Sequence, residues 1–586
     1  MDDVRARTPY VLLTRHFLRQ FLENDLISPE ADRSQLLAVV GSMLLSLTLF
    51  VSVFRSGYYV TVTLTPGQAA VVSLDDKFFF LALAMIVTAL VAALQWDALA
   101  IDPRDAAILE PLPVRAGTIR RAKVSAVAIL GAAVAIGINA FPSFVFPWML
   151  SFGFRQLRFV ALLGLITAHL IVTMAAAAFG YLVVVALREA LAAFLGSRWF
   201  TRVSPWAQAV LIVMLGSSLL LLLPAADRIG ERGFDGWRAM TPPVWFLGAY
   251  EMAAGAVVAD LPRTEMSARQ ASNDAITSAL YRERRAQFPE MARRAGLAIG
   301  LTFFIAAGAY LWNARRLPSL APAPPPAFRR RWRLGERLAD TLLVRNPAAR
   351  AGFHFTLAAM WRSNTHRLTL ACAAAAGFAM AVLALSSSPL QQGGAFSARF
   401  LSMQPLLYGA LLVGFRHVIR VPAELRANWG FQLAWRSRDR AFLAGVKYAA
   451  VVALVVPTLV VLLPLFVFVL GAERALMHAV LGLAGAIVLL EALMLSYDKV
   501  PFTCTYVPSE NMKALAPIYA IVFLIGASRF AQLEAHALQR ANVVDPLIVL
   551  AMLFAILRVW SMKRARVALV EFNEAPASYQ RLGLNG

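Results

Sequence analysis

The sequence predicts an all-α polytopic membrane protein of about 12 transmembrane helices, as two parallel six-helix halves with amphipathic interfacial helices. Three observations predict it. Of 586 residues, 59% are hydrophobic and only 15% are charged, and the mean hydropathy of +0.64 reflects repeated apolar runs long enough to cross a bilayer. The net charge of +22 is spread between those runs and not along one stripe, the pattern of topology determinants and not of a nucleic-acid-binding surface. An amphipathic stretch precedes the first run of each half.

The opening segment contains VLLTRHFLRQFLENDL, where Val11, Leu12, Phe17, Leu18 and Phe21 recur at helical spacing against Arg15, Arg19 and Glu23, so an interfacial helix is expected before span one. The acidic residues Asp2, Asp3, Glu23, Asp25, Glu30 and Asp32 are unlike the basic start of a cleaved signal peptide, and span one is expected to stay in the mature protein. Spans are predicted near 35–54, 77–96, 124–142, 159–187, 208–224 and 295–313 in the first half, and near 368–387, 404–415, 448–470, 476–496, 514–528 and 546–562 in the second. The segments between them that face the same side as the N-terminus hold 37 Lys and Arg, against 8 on the other side once the long loop 225–294 is set apart. That imbalance predicts both termini in the cytoplasm of a bacterial inner membrane.

The first six-span unit is assigned to 1–313 with its outer loop 225–294, a proline-rich basic cytoplasmic linker to 314–349, and the second unit to 350–586. The linker's ARRLPSLAPAPPPAFRRRWR reads as extended and stiff, followed by cations suited to anionic headgroups, so membrane lipids are expected partners. In the outer loop, PPVWFLGAYEMAAG suits an interfacial or re-entrant segment, and SARQASNDAITSALYRERRAQF suits a polar surface helix.

The cytoplasmic hairpin Asp97–Lys123 stands out as a polar stretch between two apolar ones. Asp102 is placed to cap a short helix opened by Pro103 and closed by Pro111, with Asp105 in the first turn. Ile108, Leu109 and Leu112 then form an apolar knob ringed by Arg104, Asp105 and Glu110, which either enters a partner's socket or folds back on neighbouring helix ends. The loop after span eight offers a counterpart: Pro422 and Glu424 open a helix, Leu425, Trp429 and Leu433 recur at i, i+4 and i+8, and Lys447 re-enters the membrane as Lys123 does.

An amphipathic N-terminal helix, six spans, a hairpin carrying D-P-R-D-A-A-I-L-E-P-L-P-V and ending in R-R-A-K, and a long outer loop together resemble the permease of a type-2 ABC exporter, here as two fused units. DKVPFTCTY at Asp498–Tyr506 is similar to segments of large bacterial members. The resemblance implies a permease that moves an amphiphilic or lipid-like substrate outward, and a docking surface for a cytoplasmic ATPase at Arg104, Asp105, Ile108, Leu109 and Leu112, with Leu425 and Trp429 in the second half. The second half departs from the pattern in having only a short loop between spans eleven and twelve.

No Walker A pattern occurs, so ATP hydrolysis is expected in a separate subunit and the chain is not expected to be an enzyme. No catalytic, cofactor or metal residues are assigned, no cofactor is expected, and the two cysteines, Cys372 and Cys504, indicate no disulfide framework. His169 and Glu491 are the intramembrane polar candidates, read as relays or as partnered side chains, with Arg558 near the end of the last span. Two alternatives stand beside the permease. An ion-coupled secondary transporter is disfavoured by the scarcity of midplane charge. A membrane-embedded transferase would rest on Asp75 and Asp76, which are equally placed to cap span two together with Ser73. In span nine, Pro457 and Pro464 are expected on one face, bending the helix toward protein or a cavity.

Overall fold

The computed structural model describes residues 9–22, 33–99, 101, 103–153, 159–227, 229–258, 267–316, 345–386, 391–392, 395–423, 441–497, 499–503 and 510–567. Ten helices among them are long and apolar enough to cross a membrane, five in each of two compact units, Met1–Pro326 and Ala327–Gly586. The two remaining predicted spans fall on the helices Arg33–Ser56 and Glu510–Gln539. Apart from a two-residue antiparallel pair, Gln391–Gln392 with Ala395–Phe396, the described residues are helical or in turns.

The first unit contains α1 (Pro9–Leu22), α2 (Arg33–Ser56), α3 (Tyr58–Thr61), α4 (Pro66–Leu94), α5 (Pro103–Leu109), α6 (Ala116–Asn139) and α7 (Pro142–Gly153). They are followed by α8 (Phe159–Leu220), α9 (Leu222–Ala226), α10 (Ile229–Arg232), α11 (Pro242–Val258), α12 (Ala268–Arg285) and α13 (Phe288–Arg316). Helix α4 is the axis of the unit. It is apolar on all sides, as a helix enclosed by others must be, and it packs on α6, α7, α8, α11 and α12. Its close approach to α8 depends on Gly180, where a Cβ would strike the backbone of Met85, and Thr88 Oγ1 donates across the same contact to the Ala177 carbonyl at 2.8 Å. Helix α8 breaks at Gly196, whose φ of +64° a glycine adopts without steric cost, and so returns as a second apolar arm, Trp199–Leu220. The end of this bundle nearest the hairpin is tied by polar bonds. Trp96 Nε1 donates to Ser204 Oγ at 2.7 Å, Gln208 Nε2 to the Ala93 carbonyl at 2.9 Å, and Asn313 Nδ2 to Glu189 Oε2 at 2.9 Å.

The second unit contains α14 (Pro347–Arg362), α15 (Asn364–Ser386), α16 (Ala398–Leu401), α17 (Met403–Val418), α18 (Ala441–Ala450), α19 (Val456–Leu470), α20 (Ala472–Met494), α21 (Glu510–Gln539) and α22 (Val544–Val567). Helices α14 and α18 cross through opposed glycines, Gly352 against the Phe442 carbonyl and Gly445 against the Ala349 carbonyl, leaving no room for a side chain at either. One π-helical turn, Val451–Val455, joins α18 to α19 just ahead of Pro457, where the ladder must accommodate a residue without an N–H. Pro457 and Pro464 share a face, and both are exposed. Phe502 is buried with φ +64°, and its backbone bonds both Ile419 and Ala423, which anchors the root of the loop that leaves α17. A positive φ is uncommon outside glycine and persists only when surroundings over-determine it.

Candidate functional site

The hairpin between α4 and α6 is built on a small core of its own. Helix α5 begins at Pro103 and lasts seven residues, and α6 opens at Ala116. Leu109, Ala106, Ile119, Ala122 and Ala126 close around Phe17 of α1, so Leu109 is only 9% exposed. This corrects the knob: Leu109 packs inside its own unit, while Ile108 (65% exposed) in the last turn of α5 and Leu112 (46%) in the bend that follows it remain outward. Asp105 faces α1 as well, accepting from Gln20 Nε2 at 2.7 Å with His16 Nε2 at 3.7 Å, and Lys123 donates to Gln20 Oε1 at 3.3 Å beneath the Phe17 ring. The amphipathic N-terminal helix therefore serves as the bed on which the hairpin is held. Asp102, the side chain of Arg104, and Leu425, Leu433 and Trp429 lie outside the described residues.

A second polar cluster lies inside the first unit. Helix α4 starts at Pro66, not near residue 77, because Thr65 and Gln68 form a reciprocal capping box. Asp75, Asp76 and Lys77 are thereby carried about three turns into the helix, and the expectation that Ser73 and the two aspartates cap it is wrong. Asp76 is 1% exposed, accepts from Tyr58 Oη at 2.6 Å and Tyr59 Oη at 2.7 Å, and forms an ion pair with Arg55 Nε at 2.6 Å. Burial first, and the negative charge of Asp76 second, hold the phenols of Tyr58 and Tyr59 well above their ordinary range, so both act as donors. Asp75 accepts from the Gly230 amide at 2.8 Å. On the neighbouring face Lys77 Nζ meets Glu251 Oε1 of α11 at 2.5 Å, and Tyr281 Oη of α12 donates to Glu251 Oε2 at 2.5 Å. Two adjacent residues of one span thus tie it to α2 and α3 on one side and to the loop helices α11 and α12 on the other.

His169 sits beside this cluster, fully buried in a box of Phe80, Phe146 and Tyr250 rings at 5.7, 5.3 and 5.5 Å between centroids. Neither ring nitrogen of His169 has a hydrogen-bond partner among the described residues, nor does the Tyr250 hydroxyl. The arrangement keeps an uncharged imidazole among aromatic faces.

In the second unit Glu491 accepts from Lys447 Nζ at 2.5 Å and Arg558 Nη1 at 3.3 Å, so two residues that the sequence presented as dispersed share one ion-pair centre. His478 and Glu534, on α20 and α21, form a further buried pair, Nδ1 to Oε1 at 2.5 Å, which leaves His478 Nε2 and Glu534 Oε2 without partners among the described residues. Sequence reasoning missed Lys77, Glu251, Tyr281, His478 and Glu534. Span two was started eleven residues late because the Thr65–Gln68 signal was passed over, and span eleven was ended at 528, before Glu534. Among the described residues the buried charges are compensated in pairs, the arrangement that makes burial of a charge tolerable.

Among the described residues no group of three or more His, Cys, Asp or Glu side chains is arranged to hold a metal ion. No family model matches the chain, and neither a curated protein nor a solved structure matches it.

Proposed function

We propose that the chain is the membrane-spanning permease of an ABC-type exporter, two six-span units fused into twelve spans, that moves an amphiphilic or lipid-like substrate outward with energy from a separate cytoplasmic ATPase. In this reading both termini and the hairpin face the cytoplasm of a bacterial inner membrane, and the chain itself performs no hydrolysis. The observation that carries it is the hairpin: Ile108 and Leu112 project as an apolar pair from a base packed firmly on α1 and α6. An exposed apolar pair on a rigid mount is what a docking element requires, because a partner's groove gains the burial energy without having to order the element first. The transferase alternative loses support, since Asp76 is enclosed by three partners and Asp75 is engaged by a backbone amide.

The test is co-purification with a candidate cytoplasmic ABC ATPase. Each apolar side chain contributes roughly 1.5–3 kcal/mol when fully buried, so Ile108→Glu with Leu112→Glu should weaken the complex by several powers of ten. Unchanged co-purification by a double variant of unaltered melting temperature sinks the docking assignment.

A second reading, ion-coupled secondary transport, is favoured by one specific observation, the buried pairs Lys77–Glu251 and His478–Glu534 within the helices. Transport by vesicles that persists without nucleotide and collapses on adding a protonophore would select it over the first.

A further inference from the structure

A cavity of about 740 Å³ opens at the foot of the first unit, between α1, the end of the hairpin, the first turns of α6 and the last turns of α13. Its polar lining consists of Tyr10, Arg115, Thr118, Arg121, Ser125 and Tyr310, and the rest is proline and valine. It therefore contains two guanidinium groups, several hydroxyls and no carboxylate. The nearest acid on the neighbouring helix, Asp105, is already held by Gln20 and His16, and Lys123 is turned away onto Gln20 and the Phe17 ring. Arg121 donates its Nε to the Gly117 carbonyl at 3.2 Å, and among the described residues no partner takes its terminal nitrogens, while Tyr10 Oη and Ser125 Oγ share a hydrogen bond of 2.6 Å across the cavity wall.

A volume of this size lies within the range of small-molecule sites, and the unbalanced positive lining selects an anion, with guanidinium suited to a phosphate's oxygens. The apolar half of the lining selects an anion that carries hydrocarbon. Val124 and Ser125 begin the apolar stretch of α6, and α1, which lends Pro9 and Tyr10 to the lining, starts with the exposed apolar side chains of Tyr10, Val11 and Leu12. On the proposed orientation, this places the opening at the level of the inner-leaflet headgroups.

The geometry points to a binding site for an anionic phospholipid of the inner leaflet, its phosphate between Arg115 and Arg121 and its chains running out past Val124 and Tyr10. Because the site is made jointly by α1 and the hairpin's exit, a bound lipid wedges the element that presents Ile108 and Leu112 against the N-terminal helix. The inference rests on the proposed membrane orientation, and it does not need the ATPase.

The test uses the full chain in detergent, titrated with phosphatidylglycerol, phosphatidylcholine of the same chains, or glycerol phosphate, with bound lipid counted by native mass spectrometry. Phosphatidylglycerol should bind preferentially, and Arg115→Gln with Arg121→Gln should reduce its occupancy roughly tenfold, whereas Arg540→Gln should not. Val124→Trp, which fills the cavity and retains both charges, should reduce it as well, and this variant decides the matter if the arginine variant does not fold. Equal binding of the two lipids, or undiminished phosphatidylglycerol binding by either cavity variant at unaltered melting temperature, overturns the site. Saturable binding of glycerol phosphate as tight as that of the lipid overturns the lipid assignment. Wild-type protein that fails to co-purify with the candidate ATPase while keeping its lipid preference would defeat the permease reading alone.

Discussion

Lys77 and Glu251 show most directly how single residues govern this molecule. Each is almost completely enclosed, and each compensates the other's desolvation. Removing one partner strands a charge in an apolar interior, so Lys77→Met or Glu251→Met is expected to cost about 3–5 kcal/mol, while the double replacement should cost distinctly less. Denaturant or thermal unfolding of the three variants measures this, and additive losses would show that the pair is not coupled. Tyr281 extends the same centre. Burial, then the Glu251 carboxylate, pushes its phenol well above its usual value of 10.0, so the folded protein keeps a proton that the unfolded chain releases. That contribution is fully present below about pH 10 and is lost as pH rises beyond it. The melting temperature should therefore fall more steeply on the alkaline side of about pH 10 in the wild type than in Tyr281→Phe, and parallel profiles would remove Tyr281 from this role.

At the scale of elements, the hairpin divides its apolar side chains between two tasks. Leu109 supports the hairpin from within, and Ile108 with Leu112 faces outward. Leu109→Glu should accordingly lower stability by about 2–5 kcal/mol, as a charge forced into a packed site does. Ile108→Glu with Leu112→Glu should leave the melting temperature near the wild-type value. Thermal unfolding in one detergent compares them, and equal destabilisation would show that all three side chains belong to one core. Helix α4 conveys a related lesson in the opposite direction: its ends were signalled locally, by Thr65 and Gln68 through the capping box, yet a reading weighted toward apolar runs began it at residue 77. Eleven residues of difference moved two charged side chains from a helix end to its interior and changed their role from caps to ties.

For the whole molecule, the orientation follows from the excess of Lys and Arg on one side, and it is tested by reporter fusions at Gly236 and after the C-terminal Gly586. The first should report the outside and the second the inside. The same side for both would invert the loop assignment and remove the hairpin from the cytoplasm.

The sequence by itself determined the class of this protein: long apolar runs demand helices whose backbone groups bond internally, and an amphipathic stretch such as 9–22 reveals its faces through the contrast of Phe17 with Arg15 and Arg19. It determined no faces for α4, because a helix apolar on all sides has no contrast to read, and it could not pair Lys77 with Glu251 across 174 residues or Glu491 with Arg558 across 67. Those partnerships were decided only when the tertiary structure brought separate helices together, since a buried charge selects its partner by proximity and desolvation, and neither quantity is local in the chain.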